Sequence, residues 1–178
     1  KINEFFRVGI DKVEIENFML IVVSQVRENI GVMYGDKYNW HAKKALKFYS
    51  SQQIFLTEVE RYKSLNRVTG ISIKAFILKN KIGKPFLECY LDILFDWGLD
   101  DVASCVDFIY DLKTDKGGKV KKSISVTFEN EKFKNRSKFI EWIYDNKKVR
   151  LIKKMAKRKW KEIDEKTSTK RQRKYQDG

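Results

Sequence analysis

The sequence predicts an α+β fold, with helices packed on a four-stranded antiparallel sheet, and three observations carry that prediction. Apolar residues near the start recur at three- and four-residue spacing, as amphipathic helices require. From Phe86 onward the period changes to two, as in half-buried strands. Those later runs succeed one another with short breaks, which suits an antiparallel meander. With 178 residues, 42% of them apolar and 13% aromatic, the chain can bury a real core. We read residues 1–166 as a single domain ending in a basic helix and 167–178 as a charged, disordered tail.

The first predicted element is a helix over Asp11–Met33, whose stripe is Ile15, Phe18, Met19, Val22, Val26, Ile30 and Met33, with Gly31, Gly35 and Asp36 marking its end. Tyr38–Tyr49 forms a second helix with Ala42, Ala45, Leu46 and Tyr49 on one side. Ser50 with Gln53 three residues later has the form of a capping box, which predicts a third helix carrying Phe55, Val59 and Tyr62. Asn66–Gly70 is a loop. Ile71–Leu78 stays open between strand, short helix and irregular edge, and Lys79–Pro85 breaks the chain. Four strand-like runs come next: Phe86–Phe95, Ala103–Lys113, Lys119–Phe128 and Phe139–Asp145. Lys113–Gly118 serves as a hairpin connection with glycines to supply positive φ. Lys147–Lys161 closes the domain as a helix with Val149, Ile152, Met155 and Ala156 inward and Lys/Arg outward.

Charge is unevenly placed. The chain carries +14, and 14 of its Lys/Arg lie in residues 147–178 beside only Glu162, Asp164, Glu165 and Asp177. Such an arm suits non-specific nucleic acid, an anionic lipid surface or an acidic partner, and equally a plain solvated helix. Only Trp160 and Tyr175 interleave aromatics there, and no base-reading motif appears. No apolar run approaches the ~18 residues needed to span a bilayer. Lys1 stands where a methionine would open a complete chain, so we expect a piece of a longer polypeptide. Cys89 and Cys105 are read as thiols on neighbouring strands, buried and free or else paired in an oxidising compartment. His41 is the one histidine, which leaves no His/Cys metal site and no cofactor in view.

One constellation resembles catalysis. Asp92 on one run, then Asp111-Leu112-Lys113 on the next, has the form of the restriction-enzyme-like nucleases, in which two carboxylates hold a metal and a lysine steadies developing phosphate charge. The i, i+2 spacing puts Asp111 and Lys113 on one strand face. The same alternation also makes all three an ordinary solvated face, as antiparallel sheets require. No glycine-rich phosphate loop exists, since Gly117-Gly118 opens no helix.

Several short segments are similar to one family. They are Val26-Arg27-Glu28, Tyr38-Asn39-Trp40, Phe48-Tyr49-Ser50-Ser51 with Ile54-Phe55, the turn Lys116-Gly117-Gly118-Lys119, and Asn135-Arg136-Ser137-Lys138-Phe139-Ile140. Together they resemble the periplasmic domain of the bitopic inner-membrane assembly subunit of type IV secretion systems, in the VirB family. That resemblance implies a nuclear-transport-factor-like fold and a non-enzymatic scaffold on the periplasmic side of the inner membrane, anchored by an upstream helix. It implies other channel subunits as partners, with a weak homodimer, and it assigns docking to Asn135, Arg136, Ser137, Lys138, Phe139, Arg27 and Glu28. The family's Asn-Pro-x-Gly-Phe loop has Arg136 and Lys138 here in place of its proline and glycine. This copy is therefore expected to dock differently.

Overall fold

The computed structural model describes residues 2–28, 30, 38–40, 42–112 and 123–168. They fall into two compact units, Lys1–Phe55 with Ile77–Leu87, and Leu56–Phe76 with Glu88–Gly178.

The first unit opens with α1 (Ile2–Ile15). Its helix ends where Asn17 takes a left-handed φ of 58°, and the Phe18 N–H donates back to the Val13 carbonyl at 2.9 Å. Asn tolerates that conformation better than most residues. The helix expected over Asp11–Met33 stops at Ile15 among the described residues. Phe18–Val23 is six apolar residues in a row, which makes no stripe, and the chain leaves α1 without helical structure. β1 (Val26–Glu28) pairs antiparallel with β2 (Tyr38–Trp40), Arg27 opposite Asn39. Next comes α2 (Lys43–Tyr49); Tyr49 stacks on the buried Phe6 of α1, ring centroids 5.7 Å apart. Ser50 ends α2, its N–H donating to the Leu46 carbonyl at 3.1 Å. The apparent capping box at Ser50 therefore marks the close of a helix.

Beyond Ser50 the chain turns to β-structure: β3 (Gln52–Ser64), β4 (Arg67–Asn80), β5 (Glu88–Leu94) and β6 (Gly98–Asp100). They form a four-stranded sheet in that order. The α+β class and the four-stranded antiparallel sheet are as the sequence predicts, but of the four predicted strand runs only Phe86–Phe95 contributes to that sheet, as β5. The predicted third helix is β3. Phe55, Val59 and Tyr62 do share helical spacing, but Ile54 and Leu56 flank Phe55 and would point about 100° to either side of that face. The loop at Asn66–Gly70 shrinks to two residues, Leu65 and Asn66, both at positive φ. That pair is the signature of a type I′ hairpin, whose twist matches the flanking strands. Gly70 is needed on β4 because a Cβ there would lie 2.6 Å from the Ile93 carbonyl oxygen.

The second unit continues with α3 (Asp101–Ile109), β7 (Ser123–Phe128), β8 (Glu131–Asn135), α4 (Arg136–Asp145) and α5 (Val149–Thr167). Of the predicted strands, the run from Ala103 is helical as far as Ile109, and 139–145 lies within α4. Asp100 caps α3, its carboxylate accepting from the Ala103 N–H at 2.9 Å, and Val102, Ala103 and Val106 turn inward. On α4 the buried set is Phe139, Ile140 and Ile143. Spacings of one, three and four residues belong to a helix face. β7 alternates as expected, burying Ile124, Val126 and Phe128. α5 turns Ile152 fully inward, with Val149 and Met155 packed on the same cluster. Cys105 is a half-buried thiol on α3 and Cys89 an exposed residue of β5, and no disulfide joins them. Met33, Gly35, His41, Lys113 with the Lys116–Lys119 turn, and the tail from 169 onward lie outside the described residues.

Candidate nucleic-acid interface

α5 is built from two opposed faces. Ile152, Met155, Ala156 and Lys159 turn toward the body of the unit, while Arg150, Lys154, Lys157, Arg158 and Lys161 are exposed. At about 100° per residue the five exposed cations fall within an arc of roughly 100°. No acid stands between Arg150 and Lys161, and none of the five is ion-paired among the described residues. The first acid on the same arc is Glu165, a full turn beyond Lys161. Other cations of α5 are occupied. Lys153 pairs with Asp101, and Lys166 reaches Glu162 at 2.6 Å, one turn away. Glu162 is held below the usual carboxylate range by the Lys166 hydrogen bond and charge, then by Arg158 and Lys159.

Lys159 fixes the helix in place. Its ammonium donates to the Phe108 and Ile109 carbonyls at 2.8 and 3.0 Å and to Asp111 at 2.7 Å. It thereby satisfies the end of α3, where carbonyls lack intrahelical partners.

The residues expected to dock a partner lie elsewhere. Asn135 caps α4, its side-chain oxygen accepting from the Lys138 N–H at 3.2 Å. Arg136 turns inward: its Nε and Nη2 clasp Asp107 at 2.6 and 2.9 Å, and Nη2 also reaches Asp92 at 2.8 Å. Burial works against that charge, but the Asp107 bonds and charge, then Asp92, outweigh it and hold the guanidinium above its ordinary pKa. Phe139 is fully buried, against Tyr110, Phe128 and Phe133. Ser137 sits in the first turn of α4. Arg27 and Glu28 line an open cleft of about 600 Å³ with Ser24, Gln25, Asn39 and Trp40. Beside it the Lys43 ammonium lies 4.7 Å from the Trp40 ring, within cation–π range.

The nuclease constellation does not assemble. Asp92 is committed to Arg136, and Asp111 is exposed and paired with Lys159 on another helix. No group of three or more His, Cys, Asp or Glu that could hold a metal occurs among the described residues.

Comparison with known proteins identifies the class. The RecA N-terminal domain family matches residues 6–100, more than half of the chain, and the chain belongs to that family. Among its relatives, Protein RecA of Malacoplasma penetrans is 37% identical over 112 residues, 63% of this chain and 32% of that protein. Protein RecA of Thermus aquaticus is 40% identical over 92 residues, 51% of this chain and 27% of its own. The match to Protein RecA of Mycoplasma mycoides extends over 150 residues at 29% identity, covering 80% of this chain and 42% of that one. The chain thus spans about a third of the length of these relatives.

These findings overturn the secretion-scaffold reading, with its VirB resemblance, its channel partners and its periplasmic setting. The segments that carried the resemblance are short, and the longest of them, Asn135–Phe139, is occupied by a helix cap, a buried ion cluster and a core ring. Among the described residues no helix is long and apolar enough to cross a membrane. The cationic face of α5 was within reach of the sequence: positions 150, 154, 157, 158 and 161 obey helical spacing. A net charge alone does not show it.

Proposed function

We propose that this chain is part of a protein of DNA recombination and repair, and that α5 is a surface on which it meets the DNA backbone. The observation that carries the reading is the exposed arc of Arg150, Lys154, Lys157, Arg158 and Lys161, with no salt bridge to any of them among the described residues, in a chain of the RecA N-terminal domain family. Lysine and arginine at helical spacing present charge along a line, as a phosphate backbone does. The reading carries with it a cytoplasmic setting and copies of the same protein assembled on DNA as partners. Nucleotide hydrolysis, in this reading, belongs to the complete protein, since no G-x-x-x-x-G-K-[ST] phosphate loop occurs in this sequence.

The test is anisotropy of a labelled duplex titrated with the chain across salt. Five phosphate contacts correspond to a log–log salt slope of about −4.5, or about a 500-fold loss between roughly 50 and 200 mM salt. Lys154→Glu with Lys157→Glu and Lys161→Glu should weaken binding by at least about tenfold at low salt and flatten the slope to about −2. Unchanged affinity and slope in that variant would remove α5 from the interface.

A further inference from the structure

In the second unit the four-stranded sheet contributes no residue to the buried apolar cluster around α3, α4 and α5. Every member of the buried apolar cluster, and every half-buried residue packed on it, comes from position 102 onward. The sheet buries different side chains, among them Ser72 and Asp92, with Asp100 at the passage from β6 into α3. Ser72 and Asp92 are directly opposite on β4 and β5, so they share one face of the sheet. The Tyr62 hydroxyl of β3 is buried beside them, and burial, then the Asp92 charge, drives its pKa up. Across from that face stand Asp107 of α3 and Arg136 of α4; the Arg136 guanidinium bridges Asp92 and Asp107. A second polar tie joins the Tyr144 hydroxyl of α4 to the Asp100 carboxylate at 3.4 Å.

We propose that this ionic joint is a latch, through which the α3–α5 body unlocks from the sheet as a preformed piece. Buried ion pairs hold a single geometry but add little net adhesion, because the desolvation they require offsets their attraction. Apolar contact would adhere in proportion to its area. The body also keeps its own core when released, since Val102, Val106, Phe139, Ile143 and Ile152 all lie inside it. Asp100 is the pivot, as the last residue of β6 and the cap of α3. Released carboxylates and guanidinium regain water at once. Opening therefore exposes charge and parts the Trp97–Tyr144 ring contact but leaves the buried apolar cluster whole, and it would carry the cationic face of α5 with it. The latch stands apart from the DNA reading, because its evidence is the packing of the unit alone.

Thiol labelling of the full chain tests it. With Cys89→Ser and Cys105→Ala as background, Ser72→Cys places a reporter in the joint and Ala103→Cys one in the core, both positions being almost fully buried. The joint reporter should react at least about tenfold faster than the core reporter, through local opening. Adding Arg136→Gln should accelerate the joint reporter further and leave the core reporter unchanged. Equal rates at the two positions in the background chain would overturn the proposal, and that comparison stands even if Arg136→Gln does not fold. Equal acceleration at both positions by Arg136→Gln would also overturn it.

Discussion

Phe139→Ala is the sharpest single test of the second unit's packing. The ring is fully buried, and three aromatic neighbours meet it: Phe133 at 4.7 Å, Phe128 at 5.7 Å and Tyr110 at 5.8 Å between centroids. Truncating a buried Phe to Ala costs about 3–5 kcal/mol through lost transfer energy and the cavity left behind. Each aromatic pair adds roughly 0.5–1.5 kcal/mol beyond burial, so three lost pairs argue for the upper part of that range. Domains are stable by only about 5–15 kcal/mol, so this one change removes a large share. Urea unfolding monitored by tryptophan emission is a suitable assay, because Trp142 packs against Phe128 and Phe133. With an m-value of about 2 kcal/mol/M, the midpoint should fall by roughly 2 M. Were Phe139 an exposed side chain, the change would stay within about 0.5 kcal/mol. A midpoint shift below about 0.3 M would refute the packing argument.

Three further predictions concern local features. Asn135→Ala should cost about 1 kcal/mol by removing the α4 cap, with Asn135→Asp nearly neutral; equal losses in both, measured by urea unfolding, would count against the cap. Gly70→Ala should destabilise by about 1–3 kcal/mol, since a Cβ must push against the Ile93 carbonyl across the sheet; a stabilised variant in thermal melts would contradict that close approach. The Tyr144 hydroxyl is pushed up to about 12 by burial and by Asp100. The folded state therefore holds its proton more tightly than the unfolded state, and this contribution is complete below pH ~10 and lost as pH rises toward about 12. Tyr144→Phe should reduce the alkaline decline of stability in that window, and a decline of unchanged steepness would speak against the Asp100 contact.

How much of this was legible in the sequence depended on which signals were local. β7 was plain because Ile124, Val126 and Phe128 alternate with polar residues on a surface with one wet side. α5 was equally plain from Val149, Ile152, Met155 and Ala156. α3 and α4 were misread because short apolar runs carry both periods at once: Phe139, Ile140 and Ile143 fit a helix, while Ile140, Trp142 and Tyr144 also sit two apart. Caps could have decided both cases, as Asp100 and Asn135 each stand immediately before the helix they cap. β3 was lost to the Ser50–Gln53 pattern, a coincidence of residue types at a helix end. The Arg136 cluster was not legible at all. Its three charges lie 15 and 29 residues apart in sequence, and only the tertiary fold brings them together. Asp92 and Asp111 looked like a pair because the strand assignment placed them side by side, and that assignment failed at α3.

Two hairpins reverse the chain with residues that would rarely be chosen for the purpose. Leu65-Asn66 and Glu129-Asn130 all adopt positive φ without a single glycine. A left-handed backbone costs a residue with a Cβ roughly 1–2 kcal/mol, less for Asn. Neither tip, then, drives its own reversal; the strands on either side impose it through their pairing. Leu65 is 96% exposed and touches little. Such tips are natural sites for splicing in a peptide tag or a fluorophore, since the register is written in the strands and survives a longer loop.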